Sequence, residues 1–465
     1  MNSTKRSGRP LRELQTITSA AVTVAELLDG AAVVAGGRRI RVLHCGPKRW
    51  NTRAELTTWA RALPGHWETV HEYHDSTAPA MSYRNTQGLR VDVLRASQWF
   101  GGEPSPVEAA NAWRAVSGVL AARFDMPLLA TPATTGRELF ARTIPNGTQW
   151  PILDLATREL IRSESGQGRI AVTNPDGRPI ERVVAYDGRL MYAALTWKLP
   201  AGEPIVTDRW HNYARGRYKV RFAIPNNYNT GCVCGAAGHE GIGPLAVKSP
   251  SGGWEYPSEP GYEGVTWADG AEIHAAMKHG ISCNVITGIV WPDEASPLDN
   301  WTHRLTKAIG DAQLLGGDGA SATTRRNVGR ALRALIIHTL GIFHAGGRWV
   351  TGAGTIDQIP SDATGVTRQG SVWTWRTHVD RVDMFAHPEW SACVYGRARA
   401  RMYLAACSVP AADVLGFATD ALYLASDPRW RDDGKVGTLR RTKVVEFSEP
   451  QWRPQTMTQL YAMVR

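Results

Sequence analysis

Two aspartates stand where carboxylates can do chemistry. Asp187 ends an apolar run, Val183-Val184-Ala185-Tyr186, and Asp420 interrupts "VLGFATDALYLASD", residues 414–427. Two such groups can hold Mg²⁺, which takes a few carboxylates and leaves places for water and substrate phosphates. A pair of ions held this way stabilises the attacking and the leaving oxygen of an in-line displacement at phosphorus. Asp is also a common turn residue, so Asp420 has a second reading as plain turn chemistry. The two carboxylates can meet only if the strand ending at Asp187 and the hairpin carrying Asp420 share a sheet.

The elements that must position them read as mixed α/β. Residues 1–20 form a basic lead-in. From 21 to 168 short apolar strands, "RIRVLHCG" and "LRVDVLRA", alternate with helices. "PSPVEAANAWRAVSGVLAARF" has a helical period that lets Val107, Ala110, Trp113, Val116 and Leu120 share a face. "RSESGQGR" is a polar boundary, after which 169–465 form the second domain. There the spacing predicts strands in "RYKVRFAI", "GPLAVKSP", "GGWEYP" and "SCNVITGIVW", helices at 297–313 and 323–343, and a loop over 344–372. Residues 390–407 read as a helix with a basic and an apolar face.

Composition narrows the partners. The 465 residues carry a net charge of +10, which favours a polyanion such as nucleic acid. No apolar run reaches the roughly 18 residues of a membrane span, and no apolar leader follows the start. Six cysteines in so long a chain suit a reducing compartment, so a cytoplasmic protein without a membrane partner is expected. No Gly-x-x-x-x-Gly-Lys phosphate loop occurs, which leaves an ATP-driven motor without support.

Three ordered segments resemble the motifs of family B DNA polymerases, in the protein-primed, phage-type branch. Asp187-Gly-Arg-Leu-Met-Tyr192 resembles motif A, Arg333-x-x-x-Ile337-His-Thr-Leu-Gly341 motif B, and Thr419-Asp420-Ala-Leu-Tyr423 the end of motif C. "LPAGEPIV" at 199–206 follows motif A as in that branch, and "VYGRARARMYLAA" resembles its palm helix, with Arg401 at the branch's arginine. The resemblance covers roughly residues 180–445. It implies a right-hand palm with fingers at about 297–343, a degenerate RNase H-like exonuclease domain over 21–168, and a thumb that is minimal or absent. It implies two Mg²⁺ or Mn²⁺ ions at Asp187 and Asp420, joined by the main-chain carbonyl of Gly188. Nucleotide contacts would fall to Gly188, Tyr192, Thr419 and Arg333, with Arg326 and Arg330 earlier on the same helix. Tyr192 would lie under the incoming sugar and exclude a 2′-hydroxyl; its other reading is a core tyrosine. Arg326 and Arg330 also read as a solvated basic face. DNA contacts would fall to Arg401, Arg441 and Lys443. Expected partners are DNA, deoxynucleotides, and a priming protein or accessory subunit in place of the thumb, in a bacterial cell or one carrying a phage or plasmid.

The sequence departs from the pattern in places. Ala418 stands where motif C opens with Asp, and Ile337 and Leu340 replace the Asn and Tyr of motif B. Gln455-Thr456-Met457 replaces a Lys-Thr-Tyr that grips the primer end. The Asp-x-Glu of the first exonuclease motif is missing, so hydrolytic proofreading is not expected. The rival readings are a polymerase-derived DNA-binding replication or defence factor without catalysis, and a metal-dependent nuclease using the same two carboxylates. Separately, "CVCGAAGH" offers Cys232, Cys234 and His239 as zinc ligands, although thiol spacing in zinc sites is usually wider; a plain surface loop is the other reading. His66, His71 and His74 in "HWETVHEYHD" read as a solvated polar surface.

Overall fold

The computed structural model describes residues 31–464 apart from 37–38, 46–66, 73–80, 103, 130, 146–147, 149, 167, 174–177, 212–214, 232–234, 236–237, 315–320 and 381. The lead-in 1–20, His66, His74, Cys232 and Cys234 therefore lie outside the described residues. The chain divides into two compact units, residues 1–145 with 300–339, and residues 146–299 with 340–465.

The first unit is built on a five-stranded sheet in the order Ala31–Gly36, Arg39–His44, Arg90–Arg95, Met81–Asn85, Trp67–Glu72. Arg39–His44 and Arg90–Arg95 run parallel, and the other pairs are antiparallel. Val42, Leu43, Val93 and Leu94 are all buried, so these two strands are covered on both faces, as a parallel pair requires. The helix Pro106–Phe124 starts at a capping box of Ser105 and Glu108, with Pro in its first turn. It buries Ala109, Ala110, Ala112, Trp113, Val116, Leu120 and Phe124. Val107, expected on that face, is 70% exposed. At roughly 100° per residue it stands about 140° round the helix from the centre of the buried stripe.

In the second unit, five antiparallel strands form a sheet in the order Leu439–Gln451, Ile180–Gly188, Ala421–Leu424, Val414–Thr419, Arg169–Val172. The helix Met457–Val464 packs on it through Leu460, against Ile180, Val183 and Leu415. Thr456 caps that helix, its hydroxyl accepting from the N–H of Gln459 at 3.2 Å. A second sheet, Glu263–Asp269, Gly216–Ala223, Ser282–Val290 and Ile205–Thr207, buries Tyr218, Val220 and Phe222 against Ile273 and Ala276 of the helix Gly270–Lys278.

Residues 344–372, expected to be a loop, contribute to a three-stranded sheet of Gly347–Gly354, Val372–Asp380 and Thr364–Gln369. Glycines within two of its strands, GRWVTGAG and TGVTRQ, hid a β-branched and aromatic content that favours strands. The helix Pro388–Ala406 has no solvated basic face. Arg399 is buried against Glu272, with bonds of 2.7 and 2.8 Å to the two carboxylate oxygens, and Arg397 donates to the carbonyls of Leu195, Trp197 and Lys198. Only Arg401 of the three is exposed. Gly396 allows this packing, because a Cβ there would overlap the side chain of Asp269. Among the described residues no helix is long and apolar enough to cross a membrane.

Asp269 caps the helix Gly270–Lys278, accepting from the N–H of Ala271 at 2.9 Å. Burial raises its pKa to about 7, an effect the cap bond opposes and Glu272 reinforces. A carboxyl with a raised folded-state pKa contributes stability that is full below its unfolded value near 4 and is lost as pH rises towards 7. Asp269→Asn keeps the cap, since Asn caps as well as Asp. Chemical denaturation at pH 4.5 and 7.5 should therefore show a smaller decline in stability for the variant than for the native chain. The difference should be on the order of a few kcal/mol.

Candidate active site

The strands Val414–Thr419 and Ala421–Leu424 form a hairpin whose last pair is Ala418 with Ala421, leaving Thr419-Asp420 as a two-residue loop. Thr419 has φ 59°, the left-handed conformation that the first loop position of a primed hairpin turn demands. Glycine or asparagine usually fills such a place, and a β-branched residue there is an outlier. The Thr419 hydroxyl lies 3.0 Å from Asp420 Oδ1 and 2.7 Å from the Ala418 carbonyl oxygen. Asp420 is thus both a turn residue and a carboxylate held by its neighbour, only 5% exposed.

The sheet joins this loop to Asp187. Asp187 pairs with Ala421, and the N–H of Gly188 donates to the Asp420 carbonyl oxygen at 2.8 Å. The two acids are one residue apart in register on neighbouring strands. Both bear on one phenol: Tyr423 has its pKa raised by burial first, then by Tyr461, Asp187 and Asp420. On the other side Arg440, paired with Asp187 in register, brings Nη2 to 4.0 Å from Asp187 Oδ2. Gly188 has no room for a side chain, since a Cβ would stand 2.7 Å from Met191 Cβ and 3.3 Å from the Asp420 carbonyl oxygen. The oxygen donors gathered here, two carboxylates and the Gly188 backbone, are of the kind that hard divalent cations take.

Tyr192 sits two residues past the left-handed Leu190, on the short helix Met191–Ala194. It is 6% exposed and meets Tyr395 edge-on, with ring centroids 5.6 Å apart. Arg401 lies beside the loop that returns to the sheet, its Nη1 3.1 Å from where a Gly437 Cβ would stand. Arg441 pairs with Asp427, which also accepts from the Tyr186 hydroxyl at 2.6 Å. Lys443 is exposed on the strand Leu439–Gln451, opposite Ala185. Arg326, Arg330 and Arg333 lie on the helix Ala322–His344, in its stretch within the first unit. Arg326 is exposed and Arg333 half-buried; Arg330 donates to the Phe100 carbonyl at 3.4 Å. His239 is fully buried, and His279 Nδ1 lies 3.2 Å from its Nε2. Sequence reasoning passed over Arg440 and His279. Arg440 stands in the visible basic run "LRRTK", whereas His279 has no neighbouring signal.

No protein-family model matches the chain, and no curated protein matches it. Among solved structures it is similar to phi29 DNA polymerase complexed with primer-template DNA and incoming nucleotide substrates. The TM-score is 0.53 at 13% identity, over 92% of this chain and 75% of that one. A post-translocation binary complex of phi29 DNA polymerase with primer-template DNA matches with a TM-score of 0.51 at 12% identity, over 90% and 84% of the two chains. The fold is similar to that of phi29 DNA polymerase. In this polymerase-like fold the hairpin and the strand ending at Asp187 belong to one sheet, as the ordered motifs require.

The tight fit at Gly188 gives a direct test. Gly188→Ala forces a methyl group into Met191 and should lower stability by about 1–3 kcal/mol, the usual range for overpacking. Chemical denaturation of the two proteins side by side measures it, and an unchanged midpoint would contradict the described contact.

Proposed function

We propose that the protein is a DNA polymerase, a nucleotidyltransferase that adds deoxynucleotides to a 3′ or protein hydroxyl. The observation that carries this reading is the bond from the Gly188 N–H to the Asp420 carbonyl, which sets two carboxylates on neighbouring strands within a phi29-like fold. The positive net charge agrees with DNA as the polyanion; one structural neighbour is a polymerase complexed with DNA and incoming nucleotide, the other a polymerase complexed with DNA.

In this reaction the hydroxyl oxygen attacks the α-phosphorus, the bond to pyrophosphate breaks, and the hydroxyl proton leaves to solvent. Asp187, Asp420 and the Gly188 carbonyl would hold two Mg²⁺ or Mn²⁺ ions, an all-oxygen set suited to such cations. When bound, the ions supply neutralising charge for the phosphate oxygens. Thr419 orients the Asp420 carboxylate. Tyr192, its ring edge-on to Tyr395, would lie under the incoming sugar and leave no room for a 2′-hydroxyl. By the resemblance, triphosphate contacts would fall to Arg333, with Arg326 and Arg330, and DNA-backbone contacts to Arg401, Arg441 and Lys443. The N-terminal α/β region would serve as a degenerate exonuclease-like domain without proofreading, with the fingers at about 297–343.

A polymerase-derived DNA-binding factor without catalysis is the second reading, favoured by Leu340. This residue, where the motif has Tyr, is fully buried. Primer extension separates the two. The native protein with Mg²⁺ should extend a primer. Asp420→Asn should lose at least about a hundredfold in rate, some 3 kcal/mol of transition-state stabilisation. DNA affinity, measured by anisotropy, should stay within about twofold, because Asn fits the turn as well as Asp does. Equal extension by both proteins would reduce Asp420 to a turn residue, and shortening of the primer would point to a nuclease.

Tyr192→Ala tests the sugar contact. Ribonucleotide incorporation should rise relative to deoxynucleotide incorporation by about tenfold or more, the effect of removing roughly 1.4 kcal/mol of steric discrimination. An unchanged ratio would leave Tyr192 as a core tyrosine.

A further inference from the structure

Apart from the paired aspartates, the second unit holds a buried cluster of a different chemistry. His239, His279 and Cys407 are 0%, 6% and 7% exposed, and one ligand atom of each lies within 4.8 Å of the others. We propose that these three side chains bind a structural zinc ion. His239 comes from a loop, His279 from the C-terminal cap of the helix Gly270–Lys278, and Cys407 from the C-terminal cap of the helix Pro388–Ala406.

The spacing suits the ion. Tetrahedral zinc at its usual bond lengths to nitrogen and sulfur sets its ligand atoms about 3.3–3.6 Å apart. The two imidazole nitrogens already stand 3.2 Å apart, and the thiol has at most somewhat over 1 Å to close. The electrostatics suit it too. Two helix C-termini converge on the cluster, and their carbonyl ends carry the partial negative charge that favours a cation. Burial, then the neighbouring His279, pushes the His239 pKa down to about 4; burial, then Lys278, lowers that of His279. Burial thus favours the uncharged rings, the form that binds metal. Burial lowers the pKa of Arg169, and Tyr256, Tyr228, Cys407 and Tyr403 oppose this, so the guanidinium is close enough to the thiol to interact with it.

The surrounding groups are ordered. The N–H of His239 donates to the Tyr228 carbonyl at 2.9 Å, and the N–H of Ile242 donates to the His239 carbonyl at 2.9 Å, which pins the loop. The Tyr228 hydroxyl bonds that of Tyr403 at 3.0 Å, and Tyr403 in turn bonds Cys407. Three protein ligands leave the fourth position of the tetrahedron to a water molecule. This site would tie the His239 loop and two helices together, behind the hairpin that follows Cys407. It uses nitrogen and sulfur ligands, so it selects zinc over Mg²⁺, and it stands whether or not the chain polymerises DNA.

The test uses the full chain, purified without a metal-affinity tag, stripped with a strong chelator and reconstituted with Zn²⁺ or Co²⁺. Elemental analysis after desalting should give one zinc per chain. The Co²⁺ form should show tetrahedral d–d bands and a thiolate-to-cobalt charge-transfer band. Cys407→Ser should remove that band and weaken zinc binding by about a hundredfold, of the order found when a metal site loses supporting groups. Zn²⁺, but not Mg²⁺, should raise the thermal midpoint of the stripped protein, and Asp420→Asn should bind zinc as the native chain does. If Cys407→Ser does not fold, the native Co²⁺ spectrum decides alone. Less than stoichiometric zinc, a cobalt spectrum without the thiolate band, or Cys407→Ser that binds like the native chain would overturn the assignment.

Discussion

A guanidinium taken out of water has to bring its counter-charge with it, and much of the second unit is arranged around one such pair. Burial by itself would lower the pKa of Arg399, but Glu272 more than reverses this and keeps the side chain charged. The two bonds between them are directional, so they fix both the rotation and the depth of the helix Pro388–Ala406. Gly396, one turn earlier, removes the side chain that would hold the helices apart. Once that helix is fixed, Trp390 donates to the Pro200 carbonyl at 3.0 Å, Arg397 gathers the carbonyls of Leu195, Trp197 and Lys198, and Tyr395 meets Tyr192. The wall of the candidate active site is therefore positioned by a charge pair that takes no part in its chemistry.

The paired acids were the most legible feature of the sequence, for a local reason. Asp187 closes a run of buried residues, and Asp420 splits two of them, so both strand ends could be seen without knowing their partners. The helix Pro106–Phe124 was legible through its period and its cap, although Val107 shows that an apolar residue near a helix start need not face the core. The three-stranded sheet within 347–380 was not legible, because its strands pair with each other and lack a continuous apolar run. The arginines of Pro388–Ala406 misled for another reason. Sequence gives a charge but not its partner, and Glu272 is 127 residues away from Arg399. The same holds for His239, whose sequence neighbours Cys232 and Cys234 drew attention away from His279, 40 residues on.

Thr419 joins local strain to chemistry. A residue forced into a left-handed φ persists only where its surroundings over-determine it, and here they do. Gly168 lies so close that a Cβ on it would stand 2.8 Å from Thr419 Cβ, and the Thr419 hydroxyl is held between Ala418 and Asp420. Glycine would ease the backbone but would free the carboxylate it now orients.

The sheet that unites the acids also governs how the chain can be made. Thr173 bonds the Val414 carbonyl across 241 residues of sequence, and Tyr186 reaches Asp427 across the same span. At roughly 5–20 residues per second, a ribosome needs about 10–50 s to supply the partners of the strand Ile180–Gly188. For that time Val183, Val184 and Tyr186, all buried in the finished protein, have no sheet to enter. Contacts of such long range slow folding and leave apolar strands open to wrong pairing. The nascent chain therefore depends on being shielded until the hairpin emerges, and its yield in a host cell should follow chaperone supply more closely than the stability of the finished fold.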